Sequence, residues 1–437
     1  MKTTTLPPAT HHRNRRCFMM IRLVVLLQLG ISAAARAAEF VGGPYLCNPR
    51  MDGMTVGWVA DAANAGEVEY GATEAYGKKA AITMCDRIVL APGAKSERFA
   101  CRARLRELTP GITYHYKVSG NGMNGERTGQ FRIPQHKDPL LIVFQGDDYA
   151  ISDLDVRFVE EKVGRPPDLL VDMGDTIQHG GDFYDFKHQL YRQIPLVLAE
   201  GNHETDWPDK LASPHHLDFE GRTEDKPEQV VDYGAARWVV GPYVKYSDDF
   251  TAEQLTWIED QLQGTDRQWK FYACHHIFFS DGYHSVLKWG GPPEGQSRRA
   301  SVWPLFMKYN VRIAFNGHDH VYQRSFPIDQ NGGKTPEGTV NLDPSIGNSV
   351  RARQSPWMAR FLRSGDDPKT RVKGVTYLYL NGDQAKVEFH TRPLENAKLE
   401  DFKPFDGFTF TPTRFNHDSL VPAEIPTGTA PARPPQP

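Results

Sequence analysis

The chain has little cysteine, no long apolar run, no excess of positive charge and no internal repeat. Five cysteines in 437 residues are too few for a disulfide-built scaffold, so apolar cores must carry the fold. The strongest apolar stretch, Leu23-Val24-Val25-Leu26-Leu27, is far shorter than the roughly 20 residues a membrane-spanning helix needs. A formal net charge of -3 speaks against nucleic-acid binding through a basic surface. Without a repeat, solenoids and propellers are excluded.

What is present begins with the first 37 residues. Arg13, Arg15, Arg16 and Arg22 precede or enter the apolar stretch, and Ala35-Arg36-Ala37 is a small-x-small cleavage pattern. Residues 1–37 therefore read as a secretory signal peptide, with Met19 and Met20 open as alternative starts. Its removal takes away six basic residues and no acidic one, lowering the net charge from -3 to -9. The expected localisation is secreted or periplasmic, with no membrane span in the mature chain and no nucleic-acid partner. Four cysteines remain. Cys85 and Cys101 flank Pro92-Gly93-Ala94 almost symmetrically, so a bridge across a hairpin and two free thiols are both open readings. Cys274 reads as a buried thiol at the end of an apolar run.

Residues 39–135 alternate apolar and polar in short stretches, as in Met54–Val59, Gly66–Gly71, Phe99–Leu105 and Thr113–Val118. Short strands at regular spacing predict a β-sandwich. From 138 onward, apolar runs at Leu140–Phe144, Leu169–Val171, Leu196–Leu198, Phe271–Cys274 and Val311–Phe315 suit strands covered on both faces. A helix is predicted after Thr251, which forms a capping box with Gln254 and stops at Gly264. The stretch Asp206–Asp249 reads as an irregular loop over the site. Gly374–Leu380 and Ala385–Phe389 read as a late hairpin, and the Pro-rich end reads as disordered.

Five short blocks follow such apolar runs: Gly146-Asp147-Asp148-Tyr149, Gly174-Asp175, Gly201-Asn202-His203-Glu204, His275-His276 and Gly317-His318-Asp319-His320. The arrangement sets carboxylates, an amide and imidazoles at the carboxyl ends of strands, on one edge of one sheet. That donor mix suits two cations roughly 3.5–4 Å apart. Asp175 is the bridging candidate. Asp147 and His320 would complete one ion, and Asn202, His275 and His318 the other. Such a pair neutralises a phosphate ester and yields a metal-bound hydroxide near neutral pH. His203, beside Asn202, is then free to protonate the leaving group. Each residue alone has a plainer reading as a turn or core group; six in this order do not. His276 replaces no ligand and reads as support. Tyr322 and Arg324 read as groups that gate or brace the site, with bracing preferred because Arg pairs readily with a structural carboxylate.

These blocks resemble the calcineurin-like metallophosphoesterase superfamily, and within it the purple acid phosphatase branch. Gly43-Pro44-Tyr45-Leu46, and Leu108-Thr109-Pro110 through Val118, resemble the limits of the fibronectin type III-like domain of plant-like members. Gly317-His318-Asp319-His320-Val321-Tyr322-Gln323-Arg324 resembles the branch's late histidine block, and Ser280 and Gly282 follow His275 as they do there. The resemblance runs from about Val41 to Arg324, with a weaker tail to about Phe389. It implies a two-domain β plus α/β fold. An N-terminal β-sandwich (39–135) is followed by a metallophosphoesterase α/β/β/α sandwich (138–395) and a C-terminal tail (396–437). It implies an exported, acid phosphatase-like hydrolase of small phosphate monoesters, with Fe plus Zn, Mn or Fe as metals, and leaves a homodimer open. A phosphodiesterase or nucleotidase on the same core is the alternative; a non-catalytic surface-binding protein is the third reading. Two departures matter. Gln178 stands where the branch has a metal-binding tyrosine. Tyr149 stands where the branch has glycine and the wider superfamily a metal-binding histidine. Tyr149 is therefore a candidate phenolate ligand, against a packing or substrate-binding role. His284 lies where relatives have a substrate-facing histidine.

Overall fold

The computed structural model describes residues 36–88, 97–147, 151–176, 188–205, 228–244, 248–285, 296–347, 349–365, 367 and 371–416. Of the expected signal peptide, residues 1–35 lie outside these. No helix among the described residues is long and apolar enough to cross a membrane.

The alternating stretches of the first part form eight strands: β1 (Phe40–Arg50), β2 (Gly53–Ala60), β3 (Glu67–Gly71), β4 (Lys78–Ala80), β5 (Ile82–Ile88), β6 (Arg98–Leu105), β7 (Thr113–Ser119) and β8 (Arg127–Arg132). They pair as β1-β2-β6-β5 and β4-β3-β7-β8. Trp58, Val68, Tyr116 and Phe131 lie in one core between them, and the sandwich is consistent with a fibronectin type III-like domain. Cys85 and Cys101 face each other across β5 and β6 and are disulfide-bonded.

Beyond residue 138 strands and helices alternate. They are β9 (Leu140–Gln145), α1 (Asp153–Val163), β10 (Leu169–Asp172), α2 (His188–Tyr191), β11 (Leu196–Leu198), α3 (Asn202–Thr205), β12 (Gln229–Tyr233) and β13 (Ala236–Val240). Next come α4 (Ala252–Gln263), β14 (Trp269–Ala273), α5 (Gln296–Lys308) and β15 (Val311–Phe315). The chain then adds β16 (Tyr322–Ser325), β17 (Val340–Asp343), β18 (Met358–Leu362), β19 (Val372–Asn381), β20 (Gln384–Pro393) and β21 (Lys403–Phe410). One sheet has the order β21-β20-β19-β9-β10-β11-β1-β2-β6-β5, and the other β12-β13-β14-β15-β17-β16-β18. The site-bearing strands β9, β10 and β11 are mutually parallel, as are β14 and β15.

The apolar runs explain this layering. Every residue of β9, β10, β11 and β15 is buried. Their inward side chains fill an aromatic layer between the sheets, where Phe144 stacks on Phe315 at 4.3 Å between ring centres. Val156 and Val159 of α1 cover the outer face of the first sheet. Ile258 and Leu262 of α4, with Val302, Trp303 and Phe306 of α5, cover the outer face of the second. The result is an α/β/β/α sandwich. The α4 capping box forms as the sequence predicts: Thr251 accepts from the Gln254 N–H and Gln254 from the Thr251 N–H.

Three expectations change. The sandwich is not set apart near residue 135, because β1 pairs in parallel with β11, Cys47 opposite Leu196, and one sheet runs through both halves. Residues after 396 are not simply a tail, since β21 pairs with β20 and buries Phe408 and Phe410; Pro404 and Gly407 mask that alternation in the sequence. Finally, within the expected loop 206–249, β12 and β13 form a hairpin at the edge of the second sheet and place Trp238 in the core. Residues 206–227 and 245–247 of this stretch lie outside the described residues.

Candidate metal centre

Each block stands just past a strand end, where the chain must turn sharply. Asp147, Asp175, His318 and His320 take left-handed φ values of 55°, 50°, 78° and 55°. Such backbone costs of order 1–3 kcal/mol each and clusters where function demands it. The neighbouring glycines permit close approach. A Cβ on Gly201 would meet Asp175 Oδ1 at 2.2 Å, and one on Gly317 would meet Asp147 Oδ2 at 3.0 Å and His275 Nδ1 at 3.3 Å.

The donors come from two sheets, not from one edge of one sheet. Asp147, Asp175 and Asn202 follow β9, β10 and β11; His275, His318 and His320 follow β14 and β15. They meet because the carboxyl ends of both parallel sets open on the same rim. His275 Nε2 lies 3.1 Å from Asn202 Oδ1, 3.2 Å from Asp175 Oδ2 and 3.3 Å from His318 Nδ1. His318 Nδ1 lies 2.9 Å from Asn202 Oδ1. Donor atoms of Asp147, Asp175 and His275 fall within 4.8 Å of one another, as do ring nitrogens of His275, His276 and His318. His320 Nε2 is 3.9 Å from Asp147 Oδ1.

This cluster fits a cation. His275 Nδ1 contacts the Met173 carbonyl oxygen at 2.8 Å, which makes Nδ1 the N–H and directs Nε2 toward the cluster. There it faces an amide oxygen, a carboxylate and a second imidazole. Without metal, only a proton on Nε2 reconciles them. Burial alone would lower the His275 pKa, but Asp175 and Asp147 outweigh it and push it up to about 10. A divalent ion would supply the positive charge there in the proton's place, since histidine binds metal as the neutral imidazole. Burial would likewise raise Asp175; His275 outweighs it and leaves the carboxyl near about 2. Burial pushes Asp147 up to about 7, and burial with His284 nearby lowers His320 to about 3. His320 and His318, the latter also held well below the ordinary value by burial, are neutral imidazoles ready to donate a lone pair.

His203 lies beside these groups. Its backbone N–H donates to Asp175 Oδ1 at 2.8 Å, and its Nε2 is 3.8 Å from Asp175 Oδ2. His284 Nδ1 contacts the His318 carbonyl oxygen at 3.1 Å, and its ring stands 4.7 Å from that of His320. His276 Nδ1 contacts the Val244 carbonyl oxygen at 2.7 Å, and its ring packs edge-on to His318. Tyr149 and Gln178 lie outside the described residues. Arg324 braces as expected: Nε and Nη2 donate to Asp406 on β21 at 2.6 and 2.9 Å, and the Tyr322 hydroxyl donates to the same carboxylate at 2.8 Å.

Two further groups support the site: Glu204, which its place beside the ligands marks as a turn or supporting group, and Ser345, which the sequence reading misses. Glu204 accepts the N–H groups of Asp175, Thr176 and Gly201 at 2.8–2.9 Å, tying the β10 turn to the β11 turn. Ser345, after β17, reaches Asp147 Oδ2 at 3.0 Å. Its only signal was an Asp at the end of an apolar run, Val340–Asp343.

Residues 136–322 match the calcineurin-like phosphoesterase family model. The chain is 26% identical over 295 residues to a protein of Arabidopsis thaliana named probable inactive purple acid phosphatase 27, covering 57% of this chain and 48% of that one. It is 30% identical over 247 residues to a nucleotide pyrophosphatase/phosphodiesterase of Hordeum vulgare, covering 52% and 58%. The chain thus spans about half the length of the curated relatives it matches. Its fold matches purple acid phosphatase PPD1 from yellow lupin (Lupinus luteus) seeds with a TM-score of 0.67 at 21% identity, over 90% of this chain and 78% of that one. The chain therefore carries a calcineurin-like phosphoesterase domain, and its fold is that of the purple acid phosphatases.

Proposed function

We propose that the protein is an exported phosphatase that hydrolyses small phosphate monoesters at a binuclear metal centre. The observation that carries this reading is the convergence of Asp147, Asp175 and Asn202 from one sheet with His275, His318 and His320 from the other. In this reading Asp175 would be shared by both ions, Asp147 and His320 would hold one, and Asn202, His275 and His318 would hold the other. Iron plus zinc, manganese or a second iron are the metals the family resemblance favours. Such a pair offsets the phosphate's charge and acidifies water enough to supply a nucleophile near neutral pH. His203 donates a proton to the leaving oxygen, and the bond from its backbone N–H to Asp175 holds the residue beside the site. His284 faces the phosphate from beside His320. Tyr149 supplies a phenolate to the Asp147 side. The iron-loaded protein should then show a visible band that Tyr149→Phe removes; a wild type without the band ends that assignment.

A second reading, cleavage of nucleotides or phosphodiesters, is favoured by Tyr283. This residue is 39% exposed, sits directly before His284 and offers an aromatic face to a base. The name of the barley relative points the same way. Elemental analysis of protein purified from its host, followed by a panel of phenyl phosphate, nucleotides and bis-phenyl phosphate, tests both. Two metal ions per chain with fastest turnover of the monoester support the first reading. Faster turnover of nucleotides or the diester supports the second. Full metal occupancy with no turnover of any ester supports a non-catalytic binding protein instead.

A further inference from the structure

We propose that the Ser345 hydroxyl, anchored by Asp343, is a positioning group that holds Asp147 for metal binding. This deepens the metal-centre reading and rests on it.

Asp147 belongs to the first sheet, yet both its oxygens are held from the second. Oδ1 accepts the His318 N–H at 2.6 Å, just past β15. Oδ2 lies 3.0 Å from Ser345 Oγ, just past β17, the parallel neighbour of β15. Ser345 is itself fixed by Asp343, whose Oδ1 stands 2.7 Å from Oγ and accepts the Ser345 N–H at 3.2 Å. All three residues are buried. Ser345 therefore clasps a carboxylate across the gap between the sheets and limits its rotation.

A hydroxyl carries one proton, so Ser345 cannot donate to two carboxylates. Asp343 Oδ2 is buried with no hydrogen-bond partner among the described residues, a costly position for a charged oxygen and a tolerable one for a neutral acid. The arrangement that satisfies all three groups has Asp343 as a carboxylic acid donating to Ser345 Oγ, and Ser345 donating to Asp147 Oδ2. Asparagine can replace a neutral acid toward Ser345 Oγ, because its amide also donates, at the loss of the longer bond that Oδ1 accepts from the Ser345 N–H.

The test is uptake of Mn²⁺ or Zn²⁺ by the full metal-free chain, read by competition with a chromophoric chelator, for wild type, Ser345→Ala, Ser345→Thr and Asp343→Asn. Supporting residues around metal sites typically contribute about 10–100-fold in affinity. Ser345→Ala should weaken one of two ions by that factor and leave the other unchanged. Ser345→Thr and Asp343→Asn should stay close to wild type. The metal-free melting temperature should be the same for all four, which separates positioning from folding. Wild-type affinity for both ions in Ser345→Ala overturns the proposal. A loss in Asp343→Asn equal to that in Ser345→Ala overturns the neutral-acid chain. A wild type that binds no metal at all sinks the metal-centre reading instead.

Discussion

The two central sheets bring different chemistry to the same rim. The first supplies oxygen donors, Asp147, Asp175 and Asn202; the second supplies imidazoles, His275, His318 and His320. Neither sheet alone holds a complete set for any ion. The site is therefore a property of the packing between sheets, and the aromatic layer of Phe144, Trp238, Phe271 and Phe315 is as much part of it as the ligands. Direct polar ties join the sheets at the rim, where His275 meets Asp175 and where His318 and Ser345 meet Asp147, and also away from it, where Arg324 and Tyr322 of β16 hold Asp406 of β21.

Removing Asp175, the group proposed to be shared by two ions, should break this pairing most completely. Asp175→Ala should abolish stoichiometric metal and lower kcat by more than the roughly 100-fold that supporting residues cost; retention of two ions by elemental analysis would refute the two-sheet site. His203→Ala should leave metal content intact and lower kcat about 10²–10⁴-fold for an alkyl phosphate, whose leaving group needs a proton. The loss should be much smaller for a nitrophenyl ester. An equal loss on both substrates would remove His203 as the acid. Between the sheets, Phe315→Ala should destabilise the fold by about 3–5 kcal/mol and loosen metal as well; chemical denaturation alongside metal titration reads both. If stability falls and metal affinity does not, the aromatic layer does not set the site.

The smallest effect concerns the brace. Burial alone would raise the Asp406 carboxyl, but Arg324 and Tyr322 outweigh it and hold it below the ordinary value. Its contribution to stability is then fully present above about pH 4, the unfolded value, and fades as pH falls through the folded one. The stability advantage of wild type over Asp406→Asn should shrink on acidification in that window. An advantage that grows instead would reverse the sign of the coupling.

Much of this is legible in the sequence alone. The blocks at Asp147, Asp175, Asn202, His275 and His318 announced themselves because each pairs a ligand type with a strand end, and strand ends are readable from apolar runs. The Thr251 cap and the late hairpin were readable for similarly local reasons. The hairpin at Gln229–Val240 was not, because charged Asp232 and Arg237 interrupt its apolar pattern and pair with each other across the strands. Strand β21 was hidden by Pro404 and Gly407. Ser345 could not be found from sequence, since a serine two residues past a strand is ordinary until a partner from elsewhere in the chain lies opposite.

The sequence by itself determined the inventory: which donors exist, that they sit on strand ends, and that an apolar α/β core would carry them. Only the tertiary structure decided that the donors divide between two sheets, that the sandwich shares a strand ladder with the α/β half, and that Asp147 is clasped from β15 and β17. The reason is physical. Periodicity is set by neighbours a few residues apart, whereas which sheet faces which is set by side-chain packing between segments more than a hundred residues apart, and that leaves no local mark in the chain.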